Sequence, residues 1–223
     1  MIKPFNPIAI DIETVANREL EFLIPDKEPP RHYKDPDKIK EFHEQTRQKT
    51  TESMALDWRF GKILCIGLCG SEESRVLFDH DERSLLEVFW NQIAGYTFFI
   101  TFNGIHFDIP FLIFRSAYND VPVSVHIDTH RYRIGNHCDI RLLLENHDPP
   151  RIGGLSLYSQ LLLGYGTWNG NKGKNIAQLY ENKEYQSIMA HCRHDAETTW
   201  KLYEKIKPYY LPSYKEKAPD AIQ

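Results

Sequence analysis

The alternation of apolar and polar residues predicts strands in the first half of the chain. An apolar run at residues 6–12 is typical of a strand. Two further strand patterns, at 62–70 and 74–80, are joined by turn residues, which predicts a β-hairpin. Helical apolar spacing at 84–93 is followed by a dense β-branched and aromatic run at 97–104, which predicts a helix and then a buried strand.

The second half of the chain has patterns typical of helices. Residues 108–118 begin with an acid and carry Pro110 in the first turn, as the start of a helix does. Two short helices are expected within 137–163, on either side of the sequence DPPRIGG. A long amphipathic helix is expected over 184–207, ending at Pro208. Together the patterns predict an α/β fold, a sheet covered by helices, in one domain over residues 1–223.

Two segments depart from this regular pattern. Residues 26–57 are polar, rich in proline at first and then helix-like, which indicates a segment inserted into the core fold. Residues 164–175 are rich in Gly, Asn and Lys and are expected to form a loop.

Composition narrows the class of protein. A chain of 223 residues with 41% apolar residues can bury one sizeable core, which excludes a disordered chain. The 31 acids outnumber the 27 bases, giving a formal net charge of −4, so any nucleic-acid site must be local. No apolar run predicts a membrane helix or a signal peptide, and a cytoplasmic location is expected. The cysteines, which form no CxxC pair, are expected to be reduced: Cys65, Cys69, Cys138 and Cys192.

Asp11 and Glu13 are the first candidate chemical group. Residues two apart on a strand point to the same face, so both carboxylates project to one side. Two neighbouring negative charges repel each other, and a bound cation would compensate them. About one such pair is expected by chance in a chain of this composition. Alone, therefore, the pair is more simply explained as a solvated strand end.

Three more candidates follow strands and helices later in the chain. Asp108 comes directly after the predicted strand at 97–104, where a helix N-cap is the simpler interpretation. Asp195 lies in the last predicted helix, four residues after His191, so the two side chains share one face. An acid in such a position is more often merely solvent-exposed.

In chain order these residues form a three-part pattern: Asp-x-Glu, then Asn-x4-Asp after a strand, then His-x3-Asp on the last helix. The pattern resembles the DEDD superfamily of 3′-to-5′ exonucleases, which has a ribonuclease H-like fold, a mixed sheet flanked by helices. The resemblance covers most of the chain and extends to the sequences LDWRFGKILCIGL, HCDIRLLL and AHCRHDAETTWKLYEKI. Within the superfamily, the chain looks like the exonucleases related to the proofreading domain of family B DNA polymerases.

The resemblance implies a catalytic site and a reaction. Asp11, Glu13, Asp108 and Asp195 are implied to be catalytic and to hold two divalent ions, Mg²⁺ or Mn²⁺. The implied reaction is hydrolysis of single-stranded DNA from its 3′ end, which releases nucleoside 5′-monophosphates. An RNA exonuclease of the same superfamily and a non-catalytic nucleic-acid-binding module remain alternatives. Nothing in the sequence identifies a protein partner.

His191 departs from the pattern of the superfamily. One subgroup has a Tyr that is separated from the last Asp by three residues. The other has a His that is separated from it by four. This chain has His at the tyrosine spacing. A neutral imidazole could orient or deprotonate the attacking water, so His191 is expected near the nucleophile as a catalytic residue.

Several other residues are candidates for contacting the substrate. By resemblance, Thr14 and Asn103 are expected to place the terminal nucleotide, although hydrogen bonding at a strand end explains them equally well. Phe107 could stack on a terminal base, although an aromatic beside a helix start is more often core. Lys172 and Lys174 could contact phosphates, although a solvated loop is the simpler interpretation.

A second group of possible metal ligands falls within fourteen positions. It has no recognisable zinc spacing, and its last acid fits the start of a helix, so a zinc site is not favoured there. The group consists of His126, Asp128, His130, His137, Cys138 and Asp139.

Overall fold

A mixed five-stranded sheet organises the fold. The computed structural model describes residues 4–25, 27–148, 153–166 and 176–211. The strand order is β3-β2-β1-β4-β5, with β1 pairing antiparallel to β2 and parallel to β4. β3 is antiparallel to β2, and β5 is parallel to β4. The strands are β1 (Pro7–Ala16), β2 (Gly61–Cys69), β3 (Ser74–Phe78), β4 (Phe98–Thr101) and β5 (His137–Asp139).

Helices cover both faces of this sheet, as the α/β prediction requires. Among the described residues there is also a 3-10 helix, Arg18–Leu23, directly after β1. None of the described helices is both long enough and apolar enough to span a bilayer. The α-helices are α1 (Pro36–Ala55), α2 (Glu82–Ile93), α3 (Asp108–Tyr118), α4 (Ile140–Leu144), α5 (Leu155–Leu163), α6 (Ile176–Glu181) and α7 (Tyr185–Tyr210).

The alternation of β1 decides which side of the sheet carries the candidate acids. Ile8, Ile10 and Ile12 are buried in the cluster that α2 and α3 fill. The alternate residues of β1 belong to the clusters formed with α7 on the opposite face. Asp11 and Glu13 therefore project toward α7.

A buried ion pair fixes α3 against α2. The Arg115 guanidinium donates to the Glu82 carboxylate at 2.6 Å, and both side chains are largely removed from solvent. Glu82 also accepts from the backbone amide of Ile63 in β2, at 2.7 Å. The pair thus ties α2, α3 and β2 together, and α3 carries Asp108 as its first residue.

Most of the predicted elements are confirmed. The hairpin of β2 and β3, the helix α2 and both ends of α3 lie where the patterns place them. The inserted segment contains α1, and the segment at 137–163 contains the two short helices α4 and α5. Most of the predicted loop at 164–175 lies outside the described residues.

Three differences have physical reasons. α7 does not end at Pro208 but continues to Tyr210, because proline removes only its own amide donor, and the amide of Leu211 still donates to the carbonyl of Lys207 at 3.0 Å. β5 was not predicted, since three residues are too few for a periodic signal. The short helix α6 and the 3-10 helix were missed for the same reason.

Candidate active site

The first part of the site is the middle of β1, so the interpretation of Asp11 and Glu13 as a strand end is wrong. Asp11 lies opposite Gly67 in the antiparallel pairing with β2, and Glu13 lies opposite Cys65. The pairing register shifts between Glu13 and Thr14. Such an irregularity re-aims the side chains beside it. Both acids remain only partly exposed, on the face that α7 covers.

Asp108 joins the second motif to the first. The N-cap of α3 is Phe107, with no side-chain capping bond, so the interpretation of Asp108 as the N-cap is wrong. Asp108 is the first helical residue, and its Oδ1 accepts a hydrogen bond from the amide of Ile12 at 3.2 Å. Because Ile12 lies between the two acids of β1, this bond brings the Asp108 carboxylate beside both of them.

Close packing of α7 against the sheet completes the site. A Cβ atom at Gly67 would lie 2.7 Å from the carbonyl oxygen of Cys192 and 3.0 Å from the Cβ of Ala196. Only glycine leaves the room that α7 occupies. The helix is thereby held over β1 and β2, with His191 and Asp195 facing the middle of β1.

We expect Gly67→Ala to lower both stability and activity. The added methyl must displace the α7 backbone, and overpacking of this kind costs about 1–3 kcal/mol. Gly95→Ala is the matched control, since a Cβ there meets nothing within 4 Å. Chemical denaturation gives the free energy of unfolding of both variants. An unchanged stability for Gly67→Ala would show that α7 is not held at this distance.

His191 contacts two of the candidate acids. Its Nδ1 lies 2.6 Å from Glu13 Oε1 and 3.7 Å from Asp195 Oδ2, so the predicted shared face with Asp195 is confirmed. The hydrogen bond to Glu13 raises the pKa of His191, against the opposing effect of burial. The imidazole therefore carries its proton on Nδ1, aimed at Glu13.

The four carboxylates interact strongly with one another. Burial raises the pKa of Asp11 well above its usual value, and repulsion from Asp108, Glu13 and Asp195 raises it further. Burial raises the pKa of Asp108 to about 8 and that of Asp195 to about 6. Oδ1 of Asp195 is buried with no hydrogen-bond partner among the described residues. Acids from β1, α3 and α7 thus share one poorly solvated space.

The chemistry of this donor set fits divalent ions. All four groups offer carboxylate oxygens, which Mg²⁺ and Mn²⁺ prefer, and the unpaired Asp195 oxygen has no other use in the fold. Within the described residues, no group of three or more His, Cys, Asp or Glu side chains is arranged so that it could hold a metal ion as it stands. Two bound cations would offset the mutual repulsion that the raised pKa values record.

The raised pKa values predict that the metal-free protein loses stability as pH rises. Asp108, with a folded pKa of about 8 against an ordinary value of 3.8, retains a proton that the unfolded chain releases between these values. Stability is therefore present at low pH and lost between about pH 4 and pH 8. The expected fall in melting temperature is roughly 3 °C per pH unit for each retained proton.

Melting curves between pH 5 and pH 8, recorded with EDTA and with Mg²⁺, test this. The stabilisation by Mg²⁺ should grow as pH rises, because the ion binds the deprotonated carboxylates. Asp108→Asn should flatten the slope in EDTA. A metal-free protein that becomes more stable over this range contradicts the arrangement of acids.

The other predicted substrate residues already have partners within the fold. Thr14 donates its hydroxyl to the carbonyl of Ala55 at 2.6 Å and is buried. Asn103 adopts a left-handed backbone, with φ of 70°. Phe107 packs on Phe111, with ring centroids 5.0 Å apart. Their contact with substrate stays a prediction. Lys172 and Lys174 lie outside the described residues.

Asp139 has a role that its position in the sequence reveals only in part. It caps α4 as predicted, accepting from the amide of Leu142 at 3.3 Å. Its carboxylate also accepts from the amides of Asn103 and Ile105, at 2.9 and 3.0 Å. Asp139 therefore holds the loop that leads to Asp108, and only the parallel pairing of β4 with β5 brings the two segments together.

The second group of possible metal ligands has a structural role. Both ring nitrogens of His137 are engaged, Nε2 with the Thr101 hydroxyl at 2.8 Å and Nδ1 with the Asp128 carbonyl at 2.8 Å. Asp128 contacts the ring of His130. No zinc-like cluster occurs here in the part of the chain that the structure describes.

Comparison with known proteins finds relatives in sequence and in fold. Over 159 residues the chain is 28% identical to an uncharacterized protein of Methanocaldococcus jannaschii, covering 64% of this chain and 84% of that protein. The family B DNA polymerase of the hyperthermophilic archaeon Pyrobaculum calidifontis has the same fold, with a TM-score of 0.60 and 15% identity. That alignment covers 92% of this chain but only 25% of the polymerase.

A protein family also matches, over residues 40–210, and its description is "Predicted 3'-5' exonuclease related to the exonuclease domain of PolB". The matched range contains Asp108, His191 and Asp195, whereas Asp11 and Glu13 precede it. Since the match spans more than half of the chain, this protein belongs to the family of predicted 3′-5′ exonucleases related to the exonuclease domain of PolB.

Proposed function

We propose that the protein is a metal-dependent exonuclease that hydrolyses single-stranded DNA from its 3′ end and releases nucleoside 5′-monophosphates. The observation that carries the proposal is the convergence of four carboxylates from β1, α3 and α7 in one largely buried space. Membership of the exonuclease family supports the same reaction class.

The energetic cost of this arrangement argues for catalysis rather than simple binding. Buried like charges destabilise a fold unless something compensates them. A module that only binds nucleic acid gains nothing from acids that repel phosphates. A bound pair of divalent ions would neutralise the repulsion between the acids and would attract the phosphates of the substrate.

The proposed ligands are Asp11, Glu13 and Asp195, with Asp108 supporting one ion from beside Ile12. When bound, Mg²⁺ or Mn²⁺ lowers the pKa of water and stabilises the charge on the leaving 3′ oxygen. The protein contributes fixed geometry, because three different elements hold the acids: β1 carries two of them, and α3 and α7 carry one each.

His191 acts on Glu13 and on the attacking water in this proposal. Its Nδ1 proton donates to Glu13 at 2.6 Å and fixes the orientation of that carboxylate. Nδ1 being occupied, Nε2 is the nitrogen that can accept a proton from water once the imidazole is neutral. If Glu13 holds a metal ion, the charge of that ion would favour the neutral form of the His191 ring.

Digestion of end-labelled oligonucleotides tests the function. Matched DNA and RNA single strands carrying a 5′ label are incubated with Mg²⁺ or Mn²⁺, and Asp11→Ala protein serves as the control for contaminating nucleases. We expect a ladder that shortens from the 3′ end, with DNA cut faster than RNA, free 5′-monophosphates as product and no reaction in EDTA. Internal cuts, or no metal-dependent cleavage of either strand, would overturn the proposal.

A further inference from the structure

An exposed cluster of aromatic and basic side chains is formed by the loop between α3 and β5 together with one residue that follows α4. We call it the platform, and it consists of His130, Arg131, Tyr132, Arg133 and His147. Tyr132 is 76% exposed, which is unusual for a large ring that has two neighbours of its own. The chain as a whole is acidic, so a local basic and aromatic surface stands out from it.

The fold builds the platform rather than leaving a loose loop. Arg131 donates to the backbone carbonyl of His147, and its guanidinium lies 5.6 Å from the centroid of the Tyr132 ring. The rings of Tyr132 and His147 are 5.4 Å apart between centroids. These contacts place the exposed Tyr132 ring beside a cation and a second, tilted ring.

The platform lies beside the edge of the sheet that carries the candidate active site. Thr129, which directly precedes it, borders a shallow apolar cavity of about 440 Å³ together with Ile105 and Pro110. Those two residues stand on either side of Phe107 and Asp108 in the chain. Thr129 and the first turn of α3, which carries Asp108, thus border one cavity, and a strand that followed this cavity away from the carboxylates would reach the platform.

The charges of the platform suit a polyanion. The Asp128 carboxylate contacts His130 and lies 3.5 Å from Arg133, but Asp128 is itself buried. The side chains of His130 and Arg133 remain 68% and 67% exposed. Exposed rings next to exposed cations are how proteins bind single strands, since bases stack on the rings and phosphates meet the cations.

We propose that the platform binds single-stranded nucleic acid several nucleotides upstream of the 3′ end, with a base stacked on Tyr132 and a phosphate beside Arg133. The inference rests on the proposed exonuclease function for the direction of the strand. The binding surface itself rests on the contacts of the platform alone, and the two can fail separately.

Binding of a fluorescein-labelled 12-nucleotide single strand, followed by anisotropy, tests the platform. Ca²⁺ replaces Mg²⁺ in this assay so that the strand binds without being cleaved. Ca²⁺ also prefers oxygen ligands, but it does not impose the strict octahedral geometry of Mg²⁺. Tyr132→Ala should weaken binding about tenfold, whereas Tyr132→Phe should keep it. Tyr209→Ala is the matched control, being 74% exposed at the far end of α7, and should have no effect.

Salt dependence separates the two kinds of contact. Arg133→Gln should reduce the slope of log K against log salt concentration by about 0.7, the value for one phosphate contact on a single strand. Tyr132→Ala should leave that slope unchanged. Melting curves of each variant confirm that the fold is retained.

Kinetics with two substrates distinguish this proposal from the exonuclease proposal. Tyr132→Ala should raise KM for the 12-nucleotide strand and leave cleavage of a trinucleotide unchanged, because the short substrate cannot reach the platform. Unchanged binding and KM in Tyr132→Ala would overturn the platform while the exonuclease stands. Binding that depends on Tyr132 in a protein that cleaves nothing would support the platform and overturn the exonuclease.

Discussion

Replacing Asp11 with asparagine is expected to abolish 3′-end cleavage while leaving the metal-free protein at least as stable as the wild type. Asp11 lies among Asp108, Glu13 and Asp195, and its pKa is raised by burial and by all three. Without its charge, the remaining acids cannot hold two ions. We expect a loss of at least about a thousandfold in rate, since losing even one preorganised neutral donor costs 10²–10³.

Equal or higher stability of the metal-free Asp11→Asn protein would indicate that Asp11 serves function and not folding. A buried carboxylate surrounded by like charges destabilises the fold, so asparagine, of nearly the same shape, relieves repulsion. Cleavage rate and thermal melting in EDTA are measured on the same preparation. Asp120→Asn is the matched control, because Asp120 is exposed and asparagine tolerates its backbone φ of 54°. A large drop in melting temperature for Asp11→Asn would indicate a structural role instead.

Replacing His191 with alanine is the second change with a large expected effect. We expect a rate about 10² to 10⁴ lower, the usual contribution of a residue that moves a proton in the transition state. The fold should persist, because the side chain is partly exposed and its close polar contacts are with Glu13 and Asp195, which belong to the site. Single-turnover cleavage of a short strand measures the effect on the chemical step.

Two further variants separate the possible roles of His191. His191→Gln can still donate to Glu13 through its amide but cannot accept a proton at neutral pH. A glutamine variant as slow as the alanine variant supports proton transfer, and one near the wild-type rate supports orientation of Glu13 alone. His194→Ala, altered three residues further along α7, controls for general damage to the helix. Near-normal turnover of His191→Ala would remove this residue from the mechanism.

The parts of the fold that the sequence predicts well are those with strong local signals. α3 was predicted at both ends, because an acid and Pro110 mark its start and the apolar spacing ends at Tyr118. The hairpin of β2 and β3 follows from its turn residues. β5 is only three residues long, and the end of α7 beyond Pro208 has no positive signal of its own.

The sequence indicates which residues are candidates for the site, but it does not indicate which of them touch one another. The shared face of His191 and Asp195 follows from helical spacing. The bond from His191 to Glu13 joins residues 178 positions apart, and that from Ile12 to Asp108 joins residues 96 apart, so no local pattern reveals either. Because the contact with Ile12 leaves no local signal, a helix N-cap was the simpler interpretation of Asp108 taken alone.

Gly67 is a residue whose position in the sequence indicates a close contact but does not identify the partner. An isolated glycine within a strand of apolar residues indicates that another backbone approaches closely. Here the approaching backbone is α7 at Cys192, and the glycine decides how near the last motif comes to the first. The sequence places the glycine in a strand, but only the assembled sheet identifies what it faces.

The net charge of −4 now has a specific interpretation. Four of the acids converge in one space, and two divalent ions there would add four positive charges where a phosphate must bind. In the part of the chain that the structure describes, the platform offers exposed basic side chains, and bound metal ions would add positive charge at the candidate site. Binding of the 3′ end should therefore depend on metal ions.

Anomalous diffraction from a crystal soaked in Mn²⁺ tests the central claim most directly. The account predicts two anomalous peaks bounded by Asp11, Glu13, Asp108 and Asp195, and their loss in crystals of Asp11→Asn protein. It also predicts that the carboxylates lie close enough to ligate both ions. Ordered Mn²⁺ elsewhere on the protein, with none between these four carboxylates, would contradict the account.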